Sequence, residues 1–166
     1  MGKTDVGAAL AAGLTGAVTI FLYLTISLPL FFHVSPYALY TWDASNVLGY
    51  QIASRAPLAT VIAVGQGMHL VVSLIWGFVF VLVARTLLPQ MLARPPAWGF
   101  AFGFFVMMVM RFGVVPLGHA PQNPYTPLGF TNTFVAHTLF FGVPVAWVAS
   151  RLMRPRPSTR RLRSGS

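Results

Sequence analysis

The chain has 166 residues, of which 56% are hydrophobic and only 8% charged, too little polar surface for a soluble domain of this size. Eleven Lys and Arg against two acidic residues give a net charge of +9, but the basic residues hug the ends of apolar runs instead of forming a stripe with interleaved aromatics, which excludes a nucleic-acid face. Cysteine is absent, which excludes disulfides, thiolate metal sites and thiol catalysis.

Four apolar stretches, around residues 7 to 32, 58 to 84, 97 to 117 and 131 to 152, are each long enough to cross a hydrocarbon core of roughly 30 Å. Nine of the eleven basic residues fall on one side of the membrane with spans drawn there: Lys3, Arg85, Arg94, Arg151, Arg154, Arg156, Arg160, Arg161 and Arg163. The positive-inside rule then places both termini in the cytoplasm. The expected fold is all-α: a polytopic four-transmembrane-helix bundle over residues 1–153 with a long first outer loop, followed by a basic, disordered cytoplasmic tail over 154–166. The expected location is a membrane, crossed four times.

The first span follows Asp5 and is read as a retained anchor, because its apolar run exceeds a signal-peptide core and no small-x-small cleavage site follows. Its Ala12, Gly16, Thr19, Tyr23 and Ser27 recur at helical spacing, giving a small, mildly polar face that belongs against other helices. Pro29 and Pro36 bracket the exit from the bilayer. The loop to Pro57 carries Tyr37, Tyr40, Trp42 and Tyr50, a density of aromatics that suits the outer interface, and Asp43 is expected to cap a short helix through about Ser54.

The second span carries Gln66, His69 and Ser73 at i−3, i and i+4, a polar stripe on one helix face. A short basic connection, Pro89 to Pro96, predicts that spans two and three form an antiparallel hairpin. Gly99 and Gly103 in the third span form a small-x-x-x-small pair that lets helices pack closely, and Met107, Met108 and Met110 read as core filling. The outer loop from Gly118 to Gly129 holds Pro121, Pro124 and Pro127 and is expected to be irregular. Thr133 precedes His137 by one turn in the fourth span.

A faint internal duplication also shows. Gly16 to Pro29 has the spacing of Gly103 to Pro116, and Pro57-Leu58 and Pro127-Leu128 each precede a histidine-bearing span, a pattern compatible with two parallel hairpin repeats.

Three ionisable residues lie inside the spans. At about 1.5 Å of rise per residue, His69, Arg111 and His137 all sit roughly 6 to 7 Å outward of their span midpoints. Such residues are expensive in hydrocarbon and are functional candidates by default. The candidate ligand-binding set is His69, Arg111, His137, Gln66, Ser73, Thr133 and Asp43. The bland alternatives are interhelical hydrogen bonding for the histidines, and snorkelling or pairing with Asp43 for Arg111.

The runs Gly67-Met68-His69-Leu70-Val71-Val72-Ser73, Trp98-Gly99 through Arg111 and Pro116-Leu117-Gly118, and Ala136-His137 through Arg151 resemble the YagU-like bacterial inner-membrane proteins of unknown function. Leu28-Pro29-Leu30 with Ser35-Pro36 is similar too. The histidines of spans two and four match positions of that pattern, whereas Arg111 stands where a histidine is expected. The resemblance implies fold and location, and it lends no activity.

Three readings follow. The leading one is a membrane protein that binds, and in one version transports, a small ligand, proton or lipid headgroup in a polar layer in the outer half of the bundle. A second is an accessory or assembly subunit of a larger membrane complex. A third makes His69 and His137 axial ligands of a b-type haem; otherwise no cofactor and no metal are expected. Catalysis is not expected, since Asp5 and Asp43 are the only carboxylates and lie at opposite membrane faces. The expected partners are the bilayer, anionic inner-leaflet lipids met by the tail, and a second copy or a larger membrane complex.

Overall fold

The computed structural model describes residues 2–121 and 126–153. The segment 154–166, read above as a tail, lies outside the described residues, as do Gln122, Asn123 and Pro124. Among the described residues all regular structure is helical. Four helical segments are long and apolar enough to cross a membrane: Lys3–Phe32, Leu58–Thr86, Pro95–Leu117 and Pro127–Met153.

The first is α1 (Lys3–Phe32), opened by Gly2, whose N–H donates to Asp5 Oδ2 at 2.9 Å, and closed by His33 in the left-handed region at φ 54°. Its threonines donate back into their own helix, Thr15 to Ala11 O and Thr25 to Phe21 O, both at 2.8 Å. Such bonds let hydroxyls sit in an apolar span without an unsatisfied group. Helices α2 (Tyr37–Leu48) and α3 (Tyr50–Ala53) follow, separated by Gly49 at φ 82°. The second span is α4 (Leu58–Thr86). A short 3-10 turn, Pro89–Leu92, leads to α5 (Pro95–Val109), which runs through a π segment, Met110–Val114, into α6 (Val115–Leu117). The fourth span is α7 (Pro127–His137), a second π segment, Thr138–Gly142, and α8 (Val143–Met153).

Neighbouring helices run antiparallel, and glycines set how closely they approach. In α1 and α4, a Cβ added at Gly13 would stand 2.8 Å from Ser73 O, and one at Gly77 2.6 Å from Ala9 O. In the third and fourth spans, a Cβ on Gly99 would stand 2.6 Å from Gly142 O. Gly16 packs α1 onto Phe141 and Val145 of the fourth span. The small face read in α1 is therefore a packing face: Ala12 and Ser27 are buried, and Tyr23 Oη donates to Asn132 Oδ1 at 2.8 Å.

The seam between α4 and α5 differs. Their backbones stay apart, and the rings of Trp76, Phe80, Phe102 and Phe105 fill the gap in edge-to-face pairs. Spans two and three thus form the antiparallel hairpin expected from their short connection, with large aromatics at the facing positions.

Two local expectations are corrected. Asp43 does not cap a helix; it lies inside α2, which begins at Tyr37 after Pro36, where the Tyr37 N–H donates to Ser35 Oγ at 3.2 Å. The loop after Gly118 is also shorter than expected, because α7 begins at Pro127 with Thr126 as its N-cap, Thr126 Oγ1 accepting the Gly129 N–H at 3.0 Å. Proline suits the first helical position, where its missing N–H removes nothing.

The antiparallel order gathers Lys3, Arg85, Arg94 and Arg151 at one end of the bundle, where Arg85 Nε lies 3.8 Å from Asp5 Oδ2. Helices α2 and α3 lie at the other.

Candidate functional site

Helix α2 lies at its end of the bundle, packed on α4 through Ala44 and Val61 and on α1 through the Tyr40 and Phe21 rings. Its Tyr40 carbonyl rests on Gly65 of α4, where an added Cβ would stand only 2.6 Å away. On its other side, Gly118 abuts Asn46 and the His119 ring nitrogen Nδ1 lies 3.4 Å from Asn46 O. Beneath α2 is a cavity of about 110 Å³, room for a few waters or one small organic molecule. Helix α2 contributes Trp42, Asp43 and Asn46, and α4 contributes Met68, His69, Val72, Ser73 and Trp76. Ile20 of α1, Met110, Val114 and Val115 of the third span, and His137 and Phe141 of the fourth complete the wall.

The hydrogen bonds of the two histidines decide which ring nitrogens remain available. His69 Nε2 lies 3.1 Å from Ala17 O, and a carbonyl can only accept, so Nε2 carries a hydrogen. In the neutral ring Nδ1 is then bare, and it stands 3.8 Å from Asp43 Oδ2. A bare nitrogen and an ionised carboxylate would face each other lone pair to lone pair, so a proton between them is favoured. Burial pushes the Asp43 carboxyl up to about 7 from its ordinary 3.8, by desolvation of the charged form. The side chains of His69 and Asp43 retain 14% and 21% of their surface, and both line the cavity. His137 Nδ1 donates to Thr133 O at 2.9 Å, which leaves its Nε2 as the nitrogen that can accept.

Both π segments border this cavity. A π turn inserts a residue and releases carbonyls from the regular ladder, and such turns recur at functional sites. Here Phe140 O, inside the second π segment, accepts from Thr19 Oγ1 of α1, and His137 O, one residue before that segment, packs directly on Gly103, leaving no room for a Cβ. His137 is therefore held through its backbone, against Gly103, as well as through its ring.

Of the seven residues singled out from sequence, Asp43, His69, Ser73 and His137 come together on one cavity wall. Arg111 is half-buried in the first π segment and lies outside the lining, as do the half-buried Gln66 and Thr133, the last acting through its carbonyl on His137. Trp42, Asn46 and Trp76 were not singled out. Asn46 was findable, since it follows Asp43 by three residues and so shares its helix face. Met110, read as core filling, does pack on the core and also lines the cavity.

Comparison with known proteins places no label on this arrangement. No family model matches the chain. Nor does any match emerge among curated proteins or solved structures. Among the described residues no three His, Asp or Glu side chains converge as a metal site. The chemistry on offer is proton exchange and hydrogen bonding, from one carboxyl, two imidazoles and the Ser73 hydroxyl within an otherwise apolar enclosure.

Proposed function

We propose that this is a multi-pass membrane protein that binds a small hydrogen-bonding ligand, together with a proton, in the cavity beneath α2, with the basic end of the bundle in the cytoplasm and α2 on the outer side. The observation that carries this reading is the convergence of Asp43, His69 and His137, from three different helical segments, on one partly open cavity. Ionisable groups far apart in sequence and gathered in a water-accessible pocket are where binding and proton transfer are performed in membranes. Neutral imidazole at His137 offers an acceptor. The Asp43 and His69 pair offers a proton that a ligand can take up or displace.

The test is a native mass and an absorption spectrum of the detergent-solubilised full chain, beside Asp43→Asn, His69→Gln and His137→Gln. A colourless protein carrying a small bound mass that all three variants lose supports the reading. A Soret band lost in both histidine variants would replace it with the haem reading. Colourless, ligand-free and equally stable proteins would favour the accessory-subunit reading.

A further inference from the structure

A second concavity lies at the opposite end of the bundle, where the polypeptide enters α5 and leaves α8. It is a groove of about 450 Å³, and its wall includes Arg94, Ala97, Trp147, Ser150 and Arg151. We infer that this groove is a headgroup site for an anionic phospholipid, with the Arg94 and Arg151 guanidinium groups gripping the phosphodiester and Trp147 marking the interface.

Charge leads to this assignment. The chain has only two side-chain carboxylates, and both are engaged elsewhere, Asp5 with Arg85 and Asp43 with His69. No side-chain carboxylate of the chain is therefore left to neutralise Arg94 or Arg151. Two arginines in one groove repel each other and attract an anion, and planar guanidinium matches the paired oxygens of a phosphodiester better than a point charge would.

Placement argues for a lipid. The groove sits at the ends of two spanning segments, Pro95–Leu117 and Pro127–Met153, at the level where headgroups lie. Trp147 is 46% exposed there, as interfacial tryptophans are. The Arg151 guanidinium carbon lies 5.1 Å from the Trp147 ring centroid, a stacking that holds the cation in place one turn beyond the indole. Phe100, also exposed, follows Ala97 by one turn of α5, so an acyl chain leaving the groove meets an apolar surface. The N-terminus of α5 adds little, because Pro95 and Pro96 carry no N–H. Arginine side chains supply the attraction.

Native mass spectrometry of the full-length detergent-solubilised protein, incubated with phosphatidylglycerol or phosphatidylcholine, tests this. Arg94→Gln and Arg151→Gln each lower phosphatidylglycerol retention about fivefold, the effect of one cation at a membrane surface, and the double variant loses more. Arg85→Gln, at the same end, leaves retention unchanged. The arginines of residues 154–163 are present in every variant, so the differences report the groove. Equal retention in wild type and double variant overturns the site, as does an equal loss in Arg85→Gln. Retention of phosphatidylcholine equal to phosphatidylglycerol also overturns it, and displacement of the lipid by equimolar inorganic phosphate reassigns the groove to a free anion.

Discussion

His69 bridges two helices that flank the cavity, its Nε2 lying 3.1 Å from Ala17 O of α1 and its Nδ1 3.8 Å from Asp43 Oδ2 of α2. The first contact fixes the tautomer, and the tautomer makes the second contact proton-dependent. The docking of α2 is thus tied to a titration.

The direction of that dependence follows from Asp43. Docked, its carboxyl keeps its proton to about pH 7, against 3.8 for the ordinary group; between these values the docked form holds a proton the undocked form has lost. Stability of the docked helix therefore falls as pH rises from about 4 to about 7 and levels off above. Fluorescence of Trp42 and Trp76, both on the cavity wall, should titrate with a midpoint near 7, and the step should vanish in Asp43→Asn. A step unchanged in that variant would remove Asp43 as its origin.

Gly65→Ala should loosen α2 without touching a titratable group. The new Cβ would stand 2.6 Å from Tyr40 O, a backbone atom, so α2 must shift. The expected outcome is a red-shifted Trp42 emission and faster amide exchange over 37–48, with the spans unaffected. Unchanged exchange would mean that the contact is not what holds α2.

Gly103→Ala should be worse tolerated, since its Cβ would collide with His137 O and stand 2.7 Å from Thr138 Cα. Overpacking of this kind costs about 3 kcal/mol, seen as lost yield or a lowered melting temperature in detergent. By contrast Gly67→Ala, with nothing within 4 Å of the added Cβ, should be neutral.

Tyr23→Phe removes the 2.8 Å bond to Asn132 Oδ1. Interhelical hydrogen bonds in membranes average about 0.6 kcal/mol, so the melting temperature should fall only slightly. A loss as large as that of Gly103→Ala would mean that Tyr23 supports more than one contact.

The four spans were legible because hydrocarbon thickness imposes a length and an apolar composition that few other folds share. The helical face from Ala12 to Ser27 was legible for a related reason: small residues at period 3.6 have no use on a lipid-facing surface. Depth was legible for His69 and His137, whose positions along their spans bring both to the cavity. Azimuth was not legible at Arg111, because the π segment at Met110–Val114 inserts a residue into the turn and rotates everything after it, and nothing in Met-Arg-Phe-Gly-Val announces that insertion. Helix α2 was misread at its start because aspartate is a strong capping residue, whereas here Ser35 and Pro36 begin the helix and leave Asp43 free to face inward.

The close seams of the bundle run from α4 to α1, from α1 to the fourth span, and from the fourth span to α5: glycine meets backbone in the first and third, and in the second Gly16 packs on the Phe141 and Val145 side chains while Thr19 Oγ1 donates to Phe140 O. Only the boundary between α4 and α5 is closed by rings alone. The bundle is accordingly a split cylinder whose cut edge borders the cavity at Trp76 and Met110. Widening it there asks only for rotamer changes, whereas widening it elsewhere would pull carbonyls off glycines or break the Thr19 bond to Phe140 O. The cavity has three stiff walls and one compliant one, so its tolerance for larger guests is directional.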